Sequence, residues 1–478
     1  MYKKNNLFLF SGLHAINGLY FSLVQNKSIF HTFGCRMNAF ETNCIREIAK
    51  KLNMNNYIFV NTCTITGESE RQCRQEIRKL HRQNPDYRVI LTGCASQLHP
   101  EFFIKMPEVD FVISNEFKLQ QWPYKLINDY FLNHCNDIKL KQEIQQKLLT
   151  QNNKNIPENK QPIDDNDWEY IYNFKERSRA FVPVQTGCNH FCSYCIVPFT
   201  RGKFRSYSPE HIIEQIKIFI NNGYNEVVLT GIDITDYGKD VRGQQQIDTL
   251  GKLCKTILKQ TSLKRLRLSS VDVAEIDNDI LDLIANETRF MPYFHISLQS
   301  GSNSVLKRMR RRHTYQDVID FCDKVLSLRP ESAFGADIIT GFPDETEEEF
   351  NCSVDIVKNA PISFVHAFPY SKRENTLASL MNDNVPKKIK KERVNELIKI
   401  GQQNLLSLYK TMQNKPQKCI MERNGIVRAE NFAKIELNLN KKHKKLENNF
   451  QSGEIVLVVP SVKNNILIAD KITAIEDK

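Results

Sequence analysis

The sequence predicts an α/β protein with three folded parts: a doubly wound parallel-sheet domain, a partial (β/α)6 barrel and a small β-barrel. Residues 28–132 alternate short apolar runs with helical stretches, and residues 180–371 repeat that alternation about six times. Residues 406–478 instead combine short strand-like runs with turn residues, which is typical of a small β-barrel. The length of 478 residues also fits about three domains.

The composition is that of a globular protein with an excess of basic residues. Lys and Arg number 66 against 55 Asp and Glu, and the net charge of +11 is compatible with a polyanionic partner such as nucleic acid. Thirteen cysteines are an odd number in a chain far too long for a small disulfide scaffold. They favour metal or redox chemistry in a reducing compartment.

Residues 1–27 are interpreted as a leader that precedes the first domain. Gly12, His14, Asn17 and Gly18 interrupt its apolar run, whereas a membrane span needs about 20 largely apolar residues. The sequence predicts no transmembrane helix after residue 30, so we expect a cytoplasmic protein without a membrane partner. A targeting role of the leader stays open.

The first domain is predicted over residues 28–132. Its strand candidates are the apolar runs "SIFHTFG", "YIFVNTC", "RVILTGC" and "VDFVIS", with helical stretches between them. Such strand–helix alternation indicates a parallel sheet, which collects ligands at the carboxyl ends of its strands. Residues 133–172 are rich in Asn, Gln, Asp and Lys and are predicted to form a polar linker.

The second part is predicted over residues 173–405, ahead of the β-barrel of residues 406–478. Its six strand candidates are "FVPVQTG", "EVVLTG", "KRLRLSS", "YFHISLQ", "AFGADIITG" and "FVHAFPYS". The first helix is expected to begin at Ser208-Pro209, because Ser caps helices and Pro suits the first helical position. Thr346 and Glu349 have the spacing of a capping box ahead of a later helix.

Three cysteines with the spacing C-x3-C-x2-C follow the first of these strands. Cys188, Cys192 and Cys195 give three close thiolates, whereas a structural zinc site needs four ligands. A four-iron cluster held by three cysteines leaves one iron open for a cofactor or substrate. Three buried structural cysteines, or a zinc site completed by His190, are the alternatives.

This spacing after the first strand of a partial barrel resembles that of the radical S-adenosylmethionine (SAM) enzymes. The resemblance implies that SAM chelates the open iron, and that an electron from the cluster cleaves SAM to a 5′-deoxyadenosyl radical. Small and polar residues at other strand ends are candidates for SAM contact, with ordinary loop chemistry as the alternative for each. These residues are Gly231, Asp233, Ser270, Gln299 and Asp337.

The first domain contains a second set of three cysteines. Cys35, Cys63 and Cys94 each follow an apolar run, and the carboxyl ends of parallel strands lie on one edge of the sheet. The three thiols are therefore expected to converge, again with one iron left open. Cys44 and Cys73 lie inside helical stretches and are predicted to pack in the core.

Together these motifs resemble the methylthiotransferase family, over roughly residues 28–475. Its architecture is a three-cysteine N-terminal domain, a radical SAM core and a C-terminal barrel of the TRAM type. The resemblance implies two [4Fe-4S] clusters and SAM as cofactors, with Cys35, Cys63 and Cys94 holding the cluster that delivers sulfur. The product it implies is a 2-methylthio adenosine next to the anticodon in tRNA.

Family members act on N6-threonylcarbamoyladenosine tRNA, on N6-isopentenyladenosine tRNA or on a ribosomal protein. The stretches "GCNHFCSYCIVPFTRGKFRS", "LTGIDITDYG" and "GADIITGFPDETEEEF" are most similar to the enzymes of the first class. The predicted function is therefore methylthiolation of C2 of N6-threonylcarbamoyladenosine. The other two substrates are the alternatives, together with a non-catalytic RNA-binding metalloprotein.

The run "KRMRRRH" is the candidate RNA contact, with Arg310 and Arg311 as its predicted RNA-binding residues. Arg201, Lys203 and Arg205 lie just past the cysteine loop and offer further phosphate contacts. A solvated charged face is the alternative for both groups. We expect the tRNA anticodon loop and an electron-donor protein as partners, and a monomeric chain.

Overall fold

The computed structural model describes residues 27–135, 137–150, 168–174, 177–241, 246–438 and 450–474. The leader predicted for residues 1–27 lies outside these residues, apart from Lys27. Among the described residues, no helix is both long enough and apolar enough to cross a membrane.

The first domain is a four-stranded parallel sheet with the strand order β1-β2-β3-β4. Helices cover both of its faces, as the prediction of a doubly wound domain requires. Its strands are β1 (Ile29–Thr32), β2 (Tyr57–Thr62), β3 (Arg88–Gly93) and β4 (Phe111–Val112). Its helices are α1 (Arg36–Lys51), α2 (Gly67–Gln83), α3 (Cys94–Leu98), α4 (Pro100–Ile104), α5 (Gln121–Asn133) and α6 (Ile138–Leu149).

Helix α6 lies within the segment predicted as a polar linker, and that prediction was wrong for these residues. Ile144 and Leu148, one helical turn apart, are buried against the first domain. The amide of Gln145 accepts a hydrogen bond from Val112 N at 2.9 Å and donates one to Val112 O at 2.8 Å. A polar side chain thus pairs with the edge strand of the sheet, which explains why polar composition misled the prediction.

The second part is an open barrel of parallel strands with helices on the outside, which confirms the predicted partial (β/α)6 architecture. Its strands form two sheets, β5-β8-β9 and β10-β11-β12-β13, joined by a bridge between Leu266 and Phe290. The strands are β5 (Ala180–Pro183), β8 (Glu226–Thr230), β9 (Arg265–Leu268), β10 (Ser270–Val271), β11 (Tyr293–Gln299), β12 (Ala333–Thr340) and β13 (Ile362–Pro369). A short hairpin of β6 (Gln185–Thr186) and β7 (Arg205–Ser206) follows β5.

The helices of this part are α7 (Val197–Arg201), α8 (Pro209–Asn221), α9 (Leu250–Gln260), α10 (Asn278–Asn286), α11 (Asn303–Arg308), α12 (Tyr315–Leu328), α13 (Glu347–Asn359) and α14 (Lys387–Met412). Helix α8 begins as predicted, because the Ser208 side chain accepts a hydrogen bond from His211 N. The capping box predicted for Thr346 and Glu349 is also present at the start of α13. Apolar side chains between strands and helices form the largest core of the described residues.

The C-terminal part is a curled sheet with the strand order β18-β19-β16-β15-β14-β17-β20, consistent with the predicted small β-barrel. Tyr409 and Met412 at the end of α14 pack into its core, so this helix joins the barrel to the C-terminal part. The strands are β14 (Gln417–Met421), β15 (Ile426–Ala429), β16 (Lys434–Leu437), β17 (Ile455–Val458), β18 (Ser461–Lys463), β19 (Ile466–Ala469) and β20 (Ile472–Ala474).

Phe432 of the C-terminal part closes the amino-terminal end of the open barrel. Its ring stacks on Tyr293 of β11 with a centroid distance of 4.7 Å. The guanidinium groups of Arg179, Arg267 and Arg428 lie 4.6–5.2 Å from the centroid of the same ring. These cation–π contacts attach the C-terminal part to the barrel end opposite the cysteine loop.

Candidate active site

Cys188, Cys192 and Cys195 lie in the loop between β6 and α7, at the carboxyl end of the first barrel strand. Gly187 begins the loop with φ 71°, and a Cβ on this residue would collide with the backbone of Lys203. Cys188 N donates to Gly202 O at 3.2 Å, so the two ends of the loop are joined. The loop therefore closes only with a glycine at position 187.

The side chain of Gln185 connects this loop to the next strand end. The Gln185 side chain is fully buried, and its Oε1 accepts hydrogen bonds from Ile232 N at 2.7 Å and Asp233 N at 3.0 Å. Its Nε2 donates to Gly187 O at 2.6 Å. A Cβ on Gly231 would lie 2.6 Å from Gln185 Oε1, so Gly231 leaves the space that this side chain occupies.

The three loop thiols are close enough to influence each other's ionisation. Burial, with a smaller contribution from the Cys192 thiol, raises the pKa of Cys188 to about 11 and that of Cys195 to about 12. Two donors face the sulfur atoms: His190 N lies 3.5 Å from Cys188 Sγ, and Arg311 Nη1 lies 3.7 Å from Cys192 Sγ. Three converging thiols with N–H donors directed at sulfur are the donor set that an iron–sulfur cluster needs.

Arg311, predicted to bind RNA, is instead almost completely buried beside this loop. Its Nη2 pairs with Asp272 at 2.9 Å and donates to Ser297 O at 3.1 Å, while Nη1 faces Cys192. The chain turns the Arg311 side chain inward after α11, toward the cysteine loop and away from the surface. Arg310, with φ 59°, remains exposed.

The imidazole of His190 lies between two carboxylates. Its Nε2 is 2.8 Å from Asp233 Oδ2 and 2.7 Å from Asp236 Oδ2. Hydrogen bonds to these two aspartates raise the pKa of His190 to about 9. The imidazole of His190 therefore positions the loop after β8 against the cysteine loop, while the backbone N–H of His190 faces Cys188 Sγ.

The residues predicted to contact SAM occupy several different environments. Asp233 is bonded to His190 and to Thr235, and Gln299 ends β11 with φ 68°. Ser270 is half-buried at the start of β10. Asp337 lies in the middle of β12 and not at its carboxyl end, and its Oδ1 is 3.0 Å from His295 Nε2 and 3.4 Å from His366 Nδ1.

The second set of cysteines converges at the carboxyl ends of β1, β2 and β3. A Cβ on Gly34 would lie 2.8 Å from Cys63 Sγ, so the loop after β1 passes directly over that thiol. Burial, with smaller contributions from the thiols of Cys94 and Cys35, raises the pKa of Cys63 to about 11. Cys35 is exposed while Cys63 and Cys94 are buried, so the set opens toward solvent on one side. This donor set also fits a cluster with three cysteine ligands.

Two further cysteines of the first domain, Cys44 and Cys73, are structural. Cys44 and Cys73 are fully buried, where sequence reasoning placed them. Cys73 Sγ lies 3.5 Å from Cys63 N and 3.7 Å from Cys63 O, directly beneath the candidate ligand.

A buried ion cluster joins the two cysteine sites. Arg201, in the helix that follows Cys195, pairs with Glu41 of α1 at 2.7 Å and donates to Asn38 Oδ1 at 2.6 Å. Lys118 pairs with the same carboxylate at 2.6 Å. Arg201 is thus a contact between domains, not the phosphate contact that its position in the sequence suggested.

Two parts of the chain match known protein families. Residues 182–355 match the radical SAM superfamily, and residues 27–114 match the uncharacterized protein family UPF0004. The threonylcarbamoyladenosine tRNA methylthiotransferase MtaB of Rickettsia prowazekii is 40% identical, over 85% of this chain and 90% of the relative. The chain belongs to the radical SAM methylthiotransferase family. It is therefore a transferase with an iron–sulfur cluster and SAM as cofactors.

Other members of the methylthiotransferase family are similar over most of their length. The MtaB enzyme of Aquifex aeolicus is 34% identical, over 86% of this chain and 96% of the relative. The tRNA-2-methylthio-N(6)-dimethylallyladenosine synthase of Carboxydothermus hydrogenoformans is 30% identical, over 79% and 83%. Among solved structures, the radical SAM methyltransferase TsrM of Kitasatospora setae has a TM-score of 0.50 at 10% identity, covering 72% of each chain, which shows the fold.

Several residues that organise the site carried no recognisable signal in the sequence. Asp272 and Glu41 lie far along the chain from the arginines that they hold, so no spacing links them to the cysteines. Gln185 is only three residues before Cys188, but the backbone that its Oε1 holds, at Ile232 and Asp233, lies in a distant loop. Glu41 had a partial signal, because a buried arginine such as Arg201 requires a carboxylate partner from elsewhere in the chain.

Proposed function

We propose that this enzyme adds a methylthio group to C2 of N6-threonylcarbamoyladenosine next to the anticodon of tRNA. The observation that carries the proposal is the pair of three-cysteine sites, which the ion pair of Arg201 with Glu41 connects. The substrate class rests on the names of the MtaB relatives, which are 34–40% identical over most of this chain. A tRNA substrate would be met in the cytoplasm.

In this proposal Cys188, Cys192 and Cys195 hold a [4Fe-4S] cluster whose open iron binds SAM. The cluster would supply the electron that cleaves SAM. Arg311 would keep a positive charge beside Cys192, and Gln185 would hold the backbone of the loop after β8. Asp233, Ser270 and Gln299 lie at the strand ends that would face SAM, and Asp337 lies one layer deeper in the barrel.

A second [4Fe-4S] cluster on Cys35, Cys63 and Cys94 would supply the sulfur. The exposed Cys35 and the open side of this set would let a substrate base approach from the barrel. The buried Glu41 with its two cations would fix the distance between the two sites, because α1 and α7 cannot separate without exposing that ion cluster.

Recognition of the anticodon loop would use the exposed Arg310 and the C-terminal barrel. Arg310 follows α11 on the surface, close in the chain to Arg311 and the cysteine loop. An unpaired base of an RNA loop can be presented to a pocket at modest cost. We expect a monomer that takes its electrons from a separate donor protein.

Mass spectrometry of tRNA nucleosides from cells with and without the gene tests this proposal. The expected result is loss of 2-methylthio-N6-threonylcarbamoyladenosine and accumulation of its precursor when the gene is deleted. Loss of the methylthio group from N6-isopentenyladenosine instead would assign the other tRNA class. Unchanged tRNA nucleosides, with a change in a ribosomal protein, would overturn the tRNA assignment.

A further inference from the structure

Arg36 is a half-buried cation for which the described residues provide no hydrogen bond and no carboxylate within ion-pair distance. It is the first residue of α1 and directly follows the candidate cluster ligand Cys35. Three buried or half-buried arginines near the two cysteine sites are, in contrast, paired. Arg201 pairs with Glu41 at 2.7 Å, Arg311 with Asp272 at 2.9 Å and Arg373 with Glu70 at 2.8 Å.

Arg36 belongs to the first domain, but three of the charged groups that act on its guanidinium belong to the barrel. Burial lowers its pKa from the ordinary value, and the charges of Tyr293, Arg267 and Asp337 act on the same pKa. Tyr293 and Asp337 belong to the inner layer of β11 and β12. A cation of the first domain therefore lies within electrostatic range of these barrel residues and of Cys35.

The carboxylate that acts on Arg36, that of Asp337, is already engaged by other side chains. Asp337 Oδ1 is bonded to His295 Nε2 at 3.0 Å and lies 3.4 Å from His366 Nδ1. The Tyr293 hydroxyl forms its hydrogen bond with His295 Nδ1 at 3.1 Å. Within the part of the chain that the structure describes, the five N–H donors of this half-buried guanidinium thus have no acceptor, and an anion would satisfy them.

We propose that Arg36 binds the carboxylate of the threonyl group of the substrate nucleoside. This inference rests on the proposed function, because N6-threonylcarbamoyladenosine carries a carboxylate where N6-isopentenyladenosine carries only hydrocarbon. The planar guanidinium matches a carboxylate in a two-point contact, which a neutral side chain cannot reproduce. The position next to Cys35 holds the modified base beside the thiols that would supply its sulfur.

The charge of Asp337 does not oppose this role. Its negative charge is shared with two imidazoles, so the repulsion that a substrate carboxylate would meet is reduced. Arg36 is thereby a specificity-determining residue. As the first residue of α1, it makes the enzyme favour an adenosine whose N6 substituent is anionic.

The test compares Arg36→Gln with Arg36→Lys, and Lys50→Gln serves as the matched control. Lys50 is exposed in the last turn of the same helix, so its substitution removes one positive charge without touching the barrel. Each reconstituted enzyme is assayed with anticodon stem-loop RNAs that carry N6-threonylcarbamoyladenosine, its methyl ester or N6-isopentenyladenosine. The readouts are the hairpin affinity, kcat and KM for methylthiolation, the iron content and SAM cleavage without RNA.

In the unsubstituted enzyme, esterification is expected to weaken hairpin binding about tenfold or more, the size of one lost contact to a charged group. Arg36→Gln should bind the acid and the ester equally, with a raised KM for the acid and with unchanged iron content and SAM cleavage. Arg36→Lys should retain part of the preference, and Lys50→Gln all of it.

Three other results would be decisive. A full preference for the acid in Arg36→Gln would overturn the role of Arg36 while leaving the proposed function intact. An unsubstituted enzyme that methylthiolates only the isopentenyl hairpin would overturn the proposed function, and the inference with it. Loss of iron from Arg36→Gln would show that Arg36 supports the cluster. If Arg36→Lys then kept its iron but showed no preference for the acid, the proposal would be contradicted.

Discussion

The two three-cysteine sites hold the same number of thiols in two different ways. The loop site takes all three from residues 188–195, whereas the sheet site takes one from each of three strands across residues 35–94. The loop site depends on the local backbone that Gln185 holds. The sheet site depends on the register of β1, β2 and β3, so it is sensitive to changes anywhere along those strands.

The largest expected difference between the sites is chemical. Cys192→Ala should abolish reductive cleavage of SAM, whereas Cys63→Ala should retain some cleavage and lose all methylthiolation. Each variant should hold about four irons, compared with about eight in the unsubstituted protein. Iron analysis and product assays under anaerobic conditions measure both effects. Full methylthiolation by Cys63→Ala would contradict the assignment of separate roles, and zinc in place of iron would contradict both.

Gly93→Ala should damage the sheet site alone. Gly93 has φ 102° and ψ −175°, and a Cβ there would collide with the backbone of Thr62 beside Cys63. The backbone strain should cost about 3 kcal/mol, with loss of the first-domain iron and retained SAM cleavage. Gly223→Ala is the control, because φ is 85° but the space is open, and it should cost only about 1 kcal/mol. Equal stability of the two variants in thermal unfolding would refute this explanation.

Glu41→Gln should weaken the connection between the sites. Burial would raise the pKa of Glu41, but Arg201 and Lys118 lower it to about 2. The ion cluster therefore stabilises the fold at pH values above the unfolded carboxyl pKa, and this stabilisation is lost as the pH falls toward 2. At pH 7 the substitution leaves two cations unpaired and should cost about 3–5 kcal/mol.

Thermal unfolding of the metal-free protein between pH 7 and pH 3 measures this effect, with Glu47→Gln on the same helix as the control. The difference between Glu41→Gln and the unsubstituted protein should shrink as the pH falls. A difference that is independent of pH would assign the loss to packing and not to charge.

The same contrast explains what the sequence could predict. The loop site could be predicted from the sequence because its three cysteines lie within eight residues in the C-x3-C-x2-C spacing. The strand–helix alternation predicted the barrel around it. The sheet site required the additional step that carboxyl ends of parallel strands meet, which the structure satisfies for Cys35, Cys63 and Cys94.

Side-chain directions were not predictable within a run of similar residues. Within "KRMRRRH", Arg308 pairs with Glu349, Arg311 with Asp272 and Arg312 with Glu275, while Arg310 is exposed. The turn after α11 decides these directions, and its carboxylate partners come from distant segments. Helix α6 was missed for a related reason, since two buried apolar side chains and one glutamine pair decide its place within a mostly polar stretch.

Arg310 and Arg311 provide the smallest of the expected effects, and they sharpen the distinction between a surface cation and one that serves the loop site. Arg310→Ala should weaken tRNA binding modestly and reduce the salt slope of log Kd by about 1, because one phosphate contact is lost. Arg311→Ala should leave that slope unchanged but lower iron retention, because its guanidinium lies 3.7 Å from Cys192 Sγ and is held by Asp272. A salt titration of tRNA affinity and an iron assay on both variants separate the two roles. If Arg311→Ala changed the salt slope as much as Arg310→Ala does, Arg311 would contact tRNA directly. That result would contradict its assignment to the loop site.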